Sequence, residues 1–218
     1  MGISENIKNL QLELAEDVTL VAVSKTKPVE DILEAYEAGQ HVFGENKIQE
    51  MVDKWELLPK DISWHMIGHV QTNKVKYMAA FVSLIHGVDS MKLLKEINKQ
   101  AVKHDRSISC LLQIKIAEED SKFGLSEADA TAILNSEALK ELSSIKIEGF
   151  MGMATFTDDE AQLENEFNKL KTFYDLHKES AQLNTLSMGM SADYLLAVTS
   201  GSNMIRVGSS IFGARNYQ

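Results

Sequence analysis

The 218-residue chain holds one cysteine and two prolines, and no apolar run long enough to span a bilayer. Each scarcity excludes something. With Cys110 alone, no intrachain disulfide can form, and a reducing, cytoplasmic setting is expected. Cys110 stands inside "SCLLQI", the place of a small buried hydrophobe rather than of a reactive thiol. Positive charge is also short, with 22 Lys and Arg against 32 Asp and Glu, a net charge of −10. Such a surface repels phosphate backbones. The basic clusters "KTK" and "NKVK" are thin and lack an aromatic stripe, so no nucleic-acid partner is expected. The start, "MGISENIKNLQLELA", carries acids and no apolar core, so neither a secretory signal nor membrane attachment is expected. Asn6 occupies the position where N-myristoylation requires Ser or Thr. G-x-S-x-G and P-loop motifs are missing, and no G-x-G-x-x-G follows the first apolar run.

What is present is a soluble, globular composition, 44% hydrophobic and 25% charged, in a length that suits one domain over residues 1–218. Short β-branched runs alternate with helical patterns. The runs are 18–24, 41–44, 63–68, 81–86, 109–116, 145–153, 184–190 and 203–208. Helical stretches read at 29–39, 45–58, 90–104, 126–135, 158–180 and 191–201, with a last one from Ser209. Pro28 opens the first of these, and Ser90 is placed to cap the third, whose Leu93, Leu94, Ile97 and Ala101 share one face. The runs are continuously apolar, as parallel strands covered on both sides are. Eight such units predict an α/β fold of the (β/α)8 TIM-barrel type, with a doubly wound open sheet as the alternative. An additional N-terminal helix, residues 3–15, is expected to cap the bottom.

In a barrel, chemistry belongs at the C-terminal strand ends. Those ends carry Lys25 and Lys27; Glu45 and Asn46; His65, Gly68 and His69; His86; Lys115; Met153 and Thr155; Ser187, Met188, Gly189 and Ser191; and Arg206, Gly208 and Ser209. "SMGMSADY" and "IRVGSSIFG" are small-residue turns that open helices, so their amides form a candidate anion site, strengthened by Arg206. On local pattern alone, tight turns and an anion site stand level; the position after strands 7 and 8 favours phosphate. Lys25, at the tip of a buried strand, is the candidate nucleophilic amine. Amine and phosphate site together fit two chemistries: a class I aldolase acting on a phosphorylated carbonyl, or pyridoxal 5′-phosphate held as an internal aldimine. Other residues read more plainly. His65, between Trp64 and Met66, fits a satisfied core histidine, and Glu45 with Asn46 an ordinary helix start with Asn46 as cap. His65 and His69 are separated by Gly68, which spoils a helical zinc pair, so no metal is expected. Met151, Met153, Met188 and Met190 suit either core or the wall of an apolar ring pocket.

Six blocks in order, "VAVSKTKP", "FGENKIQE", "WHMIGHVQTNK", "EGFMGMA", "LSMGMSADY" and "IRVGSSIFGAR", resemble the YggS/PROSC family of pyridoxal phosphate homeostasis proteins. That family is similar to the N-terminal barrel of alanine racemase without its second domain. The resemblance implies that Lys25 carries pyridoxal phosphate as a Schiff base and that Asn46 lies beside the cofactor. It implies His65 and Gly68 near the ring face, and Ser187, Met188, Ser191, Arg206, Gly208 and Ser209 around the phosphate. Arg206 is left between phosphate and pyridine nitrogen. Asn203 stands where the family commonly has threonine; asparagine is still able to donate to phosphate, and whether it makes the contact is left open. The resemblance further implies a cofactor carrier without a defined reaction, with dependent apoenzymes as candidate acceptors. No large exposed apolar stripe stands out, so a monomer is expected. Racemisation would need a second base, and of Tyr36, Tyr77, Tyr174, Tyr194 and Tyr217 only Tyr194 falls in a rim motif, on a helix that turns it away. A weak racemase or a Schiff-base aldolase is the alternative.

Overall fold

The computed structural model describes residues 2–119 and 123–213. After α1 (Ile3–Glu13), the chain alternates β1 (Thr19–Val23), α2 (Val29–Glu37), β2 (Val42–Glu45), α3 (Ile48–Leu57) and β3 (Ser63–Met66). A single 3-10 turn, Thr72–Lys74, leads into α4 (Val75–Met78), followed by β4 (Leu84–Val88), α5 (Met91–Lys103) and β5 (Ile108–Gln113). Then come α6 (Glu127–Leu134), α7 (Glu137–Lys140), β6 (Ile145–Met151), α8 (Glu160–Lys178), β7 (Thr185–Met190), α9 (Tyr194–Thr199), β8 (Met204–Val207) and α10 (Ser209–Phe212). All neighbouring strands pair in parallel in the order β1 to β8, and β8 pairs with β1 through Val21↔Arg206 and Ala22↔Val207, which closes the barrel. The expected eightfold barrel is therefore the observed one, and the open sheet is excluded.

Side-chain alternation explains why the strands read as continuously apolar. Alternate residues such as Ala22, Phe43, Trp64, Ile85, Cys110, Phe150 and Ile205 face the helices and are fully buried there. Each large side chain in this layer contributes about 1.5–3 kcal/mol. The complementary set, Val21, Leu84, Leu111, Met151 and Met204, forms a separate apolar plug inside the barrel. Helix α5 begins as its sequence implies: Ser90 accepts a hydrogen bond from the Leu93 amide, and Leu93, Leu94, Ile97 and Ala101 are buried.

Two expectations change. Helix α1 does not cap the bottom; it packs beside α2 and α10, with Asn6 Nδ2 donating to Ile211 O at 2.9 Å and Ser4 N to Glu34 Oε1 at 3.1 Å. The four-residue α10 leaves that part of the outer ring thin, and the apolar face of α1, Ile7 and Leu10, fills it. The short α4 was not apparent, because "TNKVKYM" has too few turns to show a helical period.

Strand β6 is forced close to its neighbour. The register slips between Cys110 and Leu111, where β6 bulges, and Gly149 comes to lie between Leu111 and Thr185. A Cβ on Gly149 would lie 1.6 Å from Thr185 O. Gly149→Ala is thus expected to cost about 3 kcal/mol of stability through displacement of two strands. The measurement is the urea midpoint, which should fall while the slope of the transition stays constant.

Candidate functional site

Two residues further along the strands than the apolar plug, the barrel interior turns polar. His86 follows Leu84, Gln113 follows Leu111 and Arg206 follows Met204, each at strand period on the inner face. His65 Nδ1 lies 3.0 Å from His86 Nε2, and His86 Nδ1 lies 3.2 Å from Ser187 Oγ. Arg206 Nη1 donates to Ser187 Oγ at 2.6 Å, and its Nη2 donates to Gly152 O at 2.9 Å. Arginine only donates, so Ser187 Oγ accepts from Arg206, which leaves the hydroxyl's own proton available to His86 Nδ1. Burial lowers the pKa of His65 to about 3, and burial with His65 and Arg206 nearby lowers that of His86 well below its ordinary value. Both rings are neutral at pH 7. Burial also lowers the Arg206 pKa, to about 10, against the opposing effect of Asp193, so the guanidinium keeps its charge.

Above this floor opens a cavity of about 870 Å3, the size range of a small-molecule site. Lys25, half-buried beyond the end of β1, reaches it, as do Lys27, Asn46, Gly68, Arg206, Ser191, Gly208 and Ser209. The loops after β7 and β8 are tied together by the Gly208 N–H donating to Ser191 Oγ at 3.0 Å. Asp193 Oδ1 fixes the first of these loops by accepting the Met190 N–H at 2.5 Å. The opening amides of α10, at Ser209 and Ser210, have no partner within the helix, the arrangement that suits an anion. Gly68 lets two loops meet: a Cβ there would lie 2.4 Å from the Asn46 carbonyl oxygen. Asn46 does not cap α3; the helix starts at Ile48, with no side-chain cap, and Asn46 lies open to the cavity.

Seven of the ten sequence-derived site residues thus line one cavity: Lys25, Asn46, Gly68, Ser191, Arg206, Gly208 and Ser209. His65 and Ser187 sit just below, as parts of the floor. Met188 does not belong with them by its side chain. Ser187 faces inward, so its neighbour on the strand must face out, and Met188 is fully buried between barrel and helices. Asn203 is corrected as well. It lies at the opposite end of β8, where its Oδ1 accepts the Leu186 N–H and its Nδ2 donates to Asn184 O, far along the strand from the anion loops. His69 turns away from His65 to Asp89, 3.3 Å distant at the rim. Cys110 is buried on the helix side of β5, and burial pushes its thiol pKa up, so it is inert. His86 was the residue sequence reasoning undervalued. Its place two residues after Leu84 on an inner face was the available signal.

A lysine at one strand tip and small-residue loops at two others, over a polar floor with one cation, line a single cavity of the size a small ligand needs. The comparisons agree with that arrangement. The family described as alanine racemase, N-terminal domain, matches residues 2–216. A pyridoxal phosphate homeostasis protein of Vibrio alginolyticus is 41% identical over 209 residues, covering 93% of this chain and 88% of the relative. Its counterpart in Escherichia coli K12 is 37% identical over 207 residues, with 93% and 88% covered. The solved structure of PipY from Synechococcus elongatus PCC7942 with PLP bound has a TM-score of 0.88 at 36% identity, covering 97% of this chain and 100% of PipY. Alanine racemase of Clostridium difficile 630 shares the fold, with a TM-score of 0.80 at 17% identity. The chain belongs to the alanine racemase N-terminal domain family and, within it, to the pyridoxal phosphate homeostasis proteins.

Proposed function

We propose that this protein binds pyridoxal 5′-phosphate covalently through Lys25 and serves cofactor homeostasis as a carrier. The observation behind the reading is that Lys25, Arg206 and the Ser191–Gly208–Ser209 loops share one cavity of about 870 Å3. The chemistry of this donor set fits the group. Its aldehyde requires an amine, its phosphate requires amide and hydroxyl donors, and its ring requires an apolar wall, which Val23, Ile67 and Met153 supply. When bound, the group supplies an aldehyde carbon that an amine captures reversibly. The side chains do the rest: Ser191 and Ser209 orient the phosphate end, and Asn46 and Gly68 bound the ring edge. Arg206 is anchored below the loops by Ser187 and Gly152, at the floor. That depth supports a role at the ring nitrogen rather than at the phosphate. A guanidinium there disfavours a protonated ring and so weakens the electron sink that a reaction would need.

The absence of a tyrosine from the cavity wall, among the described residues, supports holding over turnover. Tyr194 donates to Glu13 Oε2 at 2.7 Å, on the outside of the ring, and Tyr217 lies outside the described residues. The carrier reading includes release to dependent apoenzymes, for which the exposed Phe123 and Phe156 at the cavity lip are the nearest apolar surface. One barrel carries a complete site, which suits a monomer. No helix among the described residues is long and apolar enough to cross a membrane, and the lone buried thiol fits the cytosol.

The test is direct. Incubation with pyridoxal phosphate should give a visible absorption band, and borohydride reduction should fix one cofactor mass on the peptide carrying Lys25. A protein that stays colourless, or an adduct mapped to other lysines alone, would overturn the reading. Exchange of the alanine α-proton in deuterated buffer should stay far below roughly 1 per second; enzyme-like turnover would establish the racemase instead.

A further inference from the structure

Behind Lys25, on the outer side of β1 and β2, charged side chains form a closed buried cluster. Lys54 of α3 has a side chain only 7% exposed, and Glu45 at the end of β2 is fully buried. Lys54 Nζ donates to Ser24 O, Glu45 Oε1 and Glu50 Oε1, each at 2.7 Å, which uses all three of its donors. Ser24 Oγ donates to Glu45 Oε1 at 2.6 Å. The Thr26 N–H donates to Glu50 Oε1 at 2.5 Å. The cluster therefore grips the backbone on both sides of one residue. The Ser24 carbonyl belongs to the peptide that enters Lys25, and the Thr26 amide to the peptide that leaves it.

That grip holds an unfavourable conformation. Thr26 has φ of 64°, a left-handed setting that a β-branched residue avoids. Stability alone gives no reason for such a cluster, since buried ion pairs are commonly no better than apolar packing of the same volume. Here one carboxylate oxygen, Glu45 Oε2, is even left without a partner among the described residues. The arrangement fixes a direction instead: with both flanking peptides pinned, the Cα–Cβ bond of Lys25 has one orientation, toward the cavity.

We infer that Lys54, acting with Glu45 and Glu50, is a positioning residue that aims Lys25 at the ligand's carbonyl carbon. The inference rests on the reading of Lys25 as the covalent anchor. The phosphate contacts lie on the loops after β7 and β8, away from the cluster. Its loss should therefore weaken covalent capture while sparing recognition.

Two probes separate these. Pyridoxal phosphate can be captured by Lys25; pyridoxamine 5′-phosphate has the same ring and phosphate but no aldehyde. In Lys54→Met, apparent affinity for pyridoxal phosphate should fall about ten- to hundredfold, while that for pyridoxamine phosphate stays within about twofold of the parent. Unchanged pyridoxal phosphate affinity, or parallel loss of both ligands, would overturn the inference. If Lys54→Met fails to fold, Glu50→Gln carries the test, because it keeps the helix and weakens the Thr26 anchor; about a fivefold loss confined to pyridoxal phosphate is expected. Parent protein that yields no adduct at Lys25 would instead refute the anchor itself.

Discussion

Lys25→Ala should abolish the visible band and the borohydride-fixed adduct altogether. Among the described residues that line the cavity, no second amine is placed to replace it. Lys27 lies in the same cavity, but its Nζ donates to Phe212 O at 2.7 Å, where it ties the β1 loop to α10. Lys54 is spent on Ser24, Glu45 and Glu50 behind the strand. Capture needs an uncharged amine within bonding distance of the carbonyl, and among the described residues only Lys25 combines a place at the strand tip with access to the cavity. The variant should still fold. Lys25 is half-buried and lies beyond the last strand residue, so its truncation is expected to change stability by no more than about 0.5 kcal/mol. It should still bind pyridoxamine phosphate, because the loop donors at Ser191 and Ser209 remain. Equilibrium dialysis with both ligands checks this. A covalent adduct that persists at full yield in Lys25→Ala would remove Lys25 as the anchor.

The barrel was legible because its strands announce themselves twice. "VTLVAVS" is apolar on both faces, which only a strand sandwiched between plug and helices needs. Lys25 was legible for the same reason, as a cation where burial should end. The loops after β7 and β8 that line the cavity were legible as small-residue turns before short helices. What stayed hidden depends on contacts distant in sequence. Ser187, His86 and His65 meet across 101 and 21 residues of chain, and nothing local tells an inward histidine from a satisfied one. The Lys54 cluster was hidden differently. Glu50 and Lys54 have no more than the spacing of an ordinary i, i+4 helix pair, and Glu45 reads as a helix start; that they converge on Ser24 follows only from how α3 packs against β1. Met188 and Asn203 misled in a third way. A motif carries residues that serve the strand as well as residues that serve the ligand, and position within the motif does not say which. Alternation does: once Ser187 faces inward, Met188 must face outward.

The histidine pair makes a strong prediction about acid. His65 and His86 are buried and neutral in the folded chain, with pKa values lowered to about 3 and well below the ordinary value, against 6.5 when exposed. Below pH 6.5 the unfolded chain binds two protons that the folded chain refuses, so stability is full above pH 6.5 and falls as pH drops. The slope approaches about 2.7 kcal/mol per pH unit while both groups titrate, or about 4 kcal/mol lost between pH 7.5 and 5. That is a large share of an ordinary domain's stability. Glu45 and Asp193 act in the opposite sense, since burial raises their pKa and the folded chain takes up their protons first, which softens the fall at the lowest pH. Protonating His86 would also place a second cation beside Arg206 in the same floor. Urea unfolding at half-unit steps from pH 8 to 5 measures the effect. His65→Gln combined with His86→Gln should be less stable at pH 7.5 yet nearly flat across this range. A parent protein already flat, or a double variant that keeps the parent's slope, would show that the floor does not hold these rings neutral.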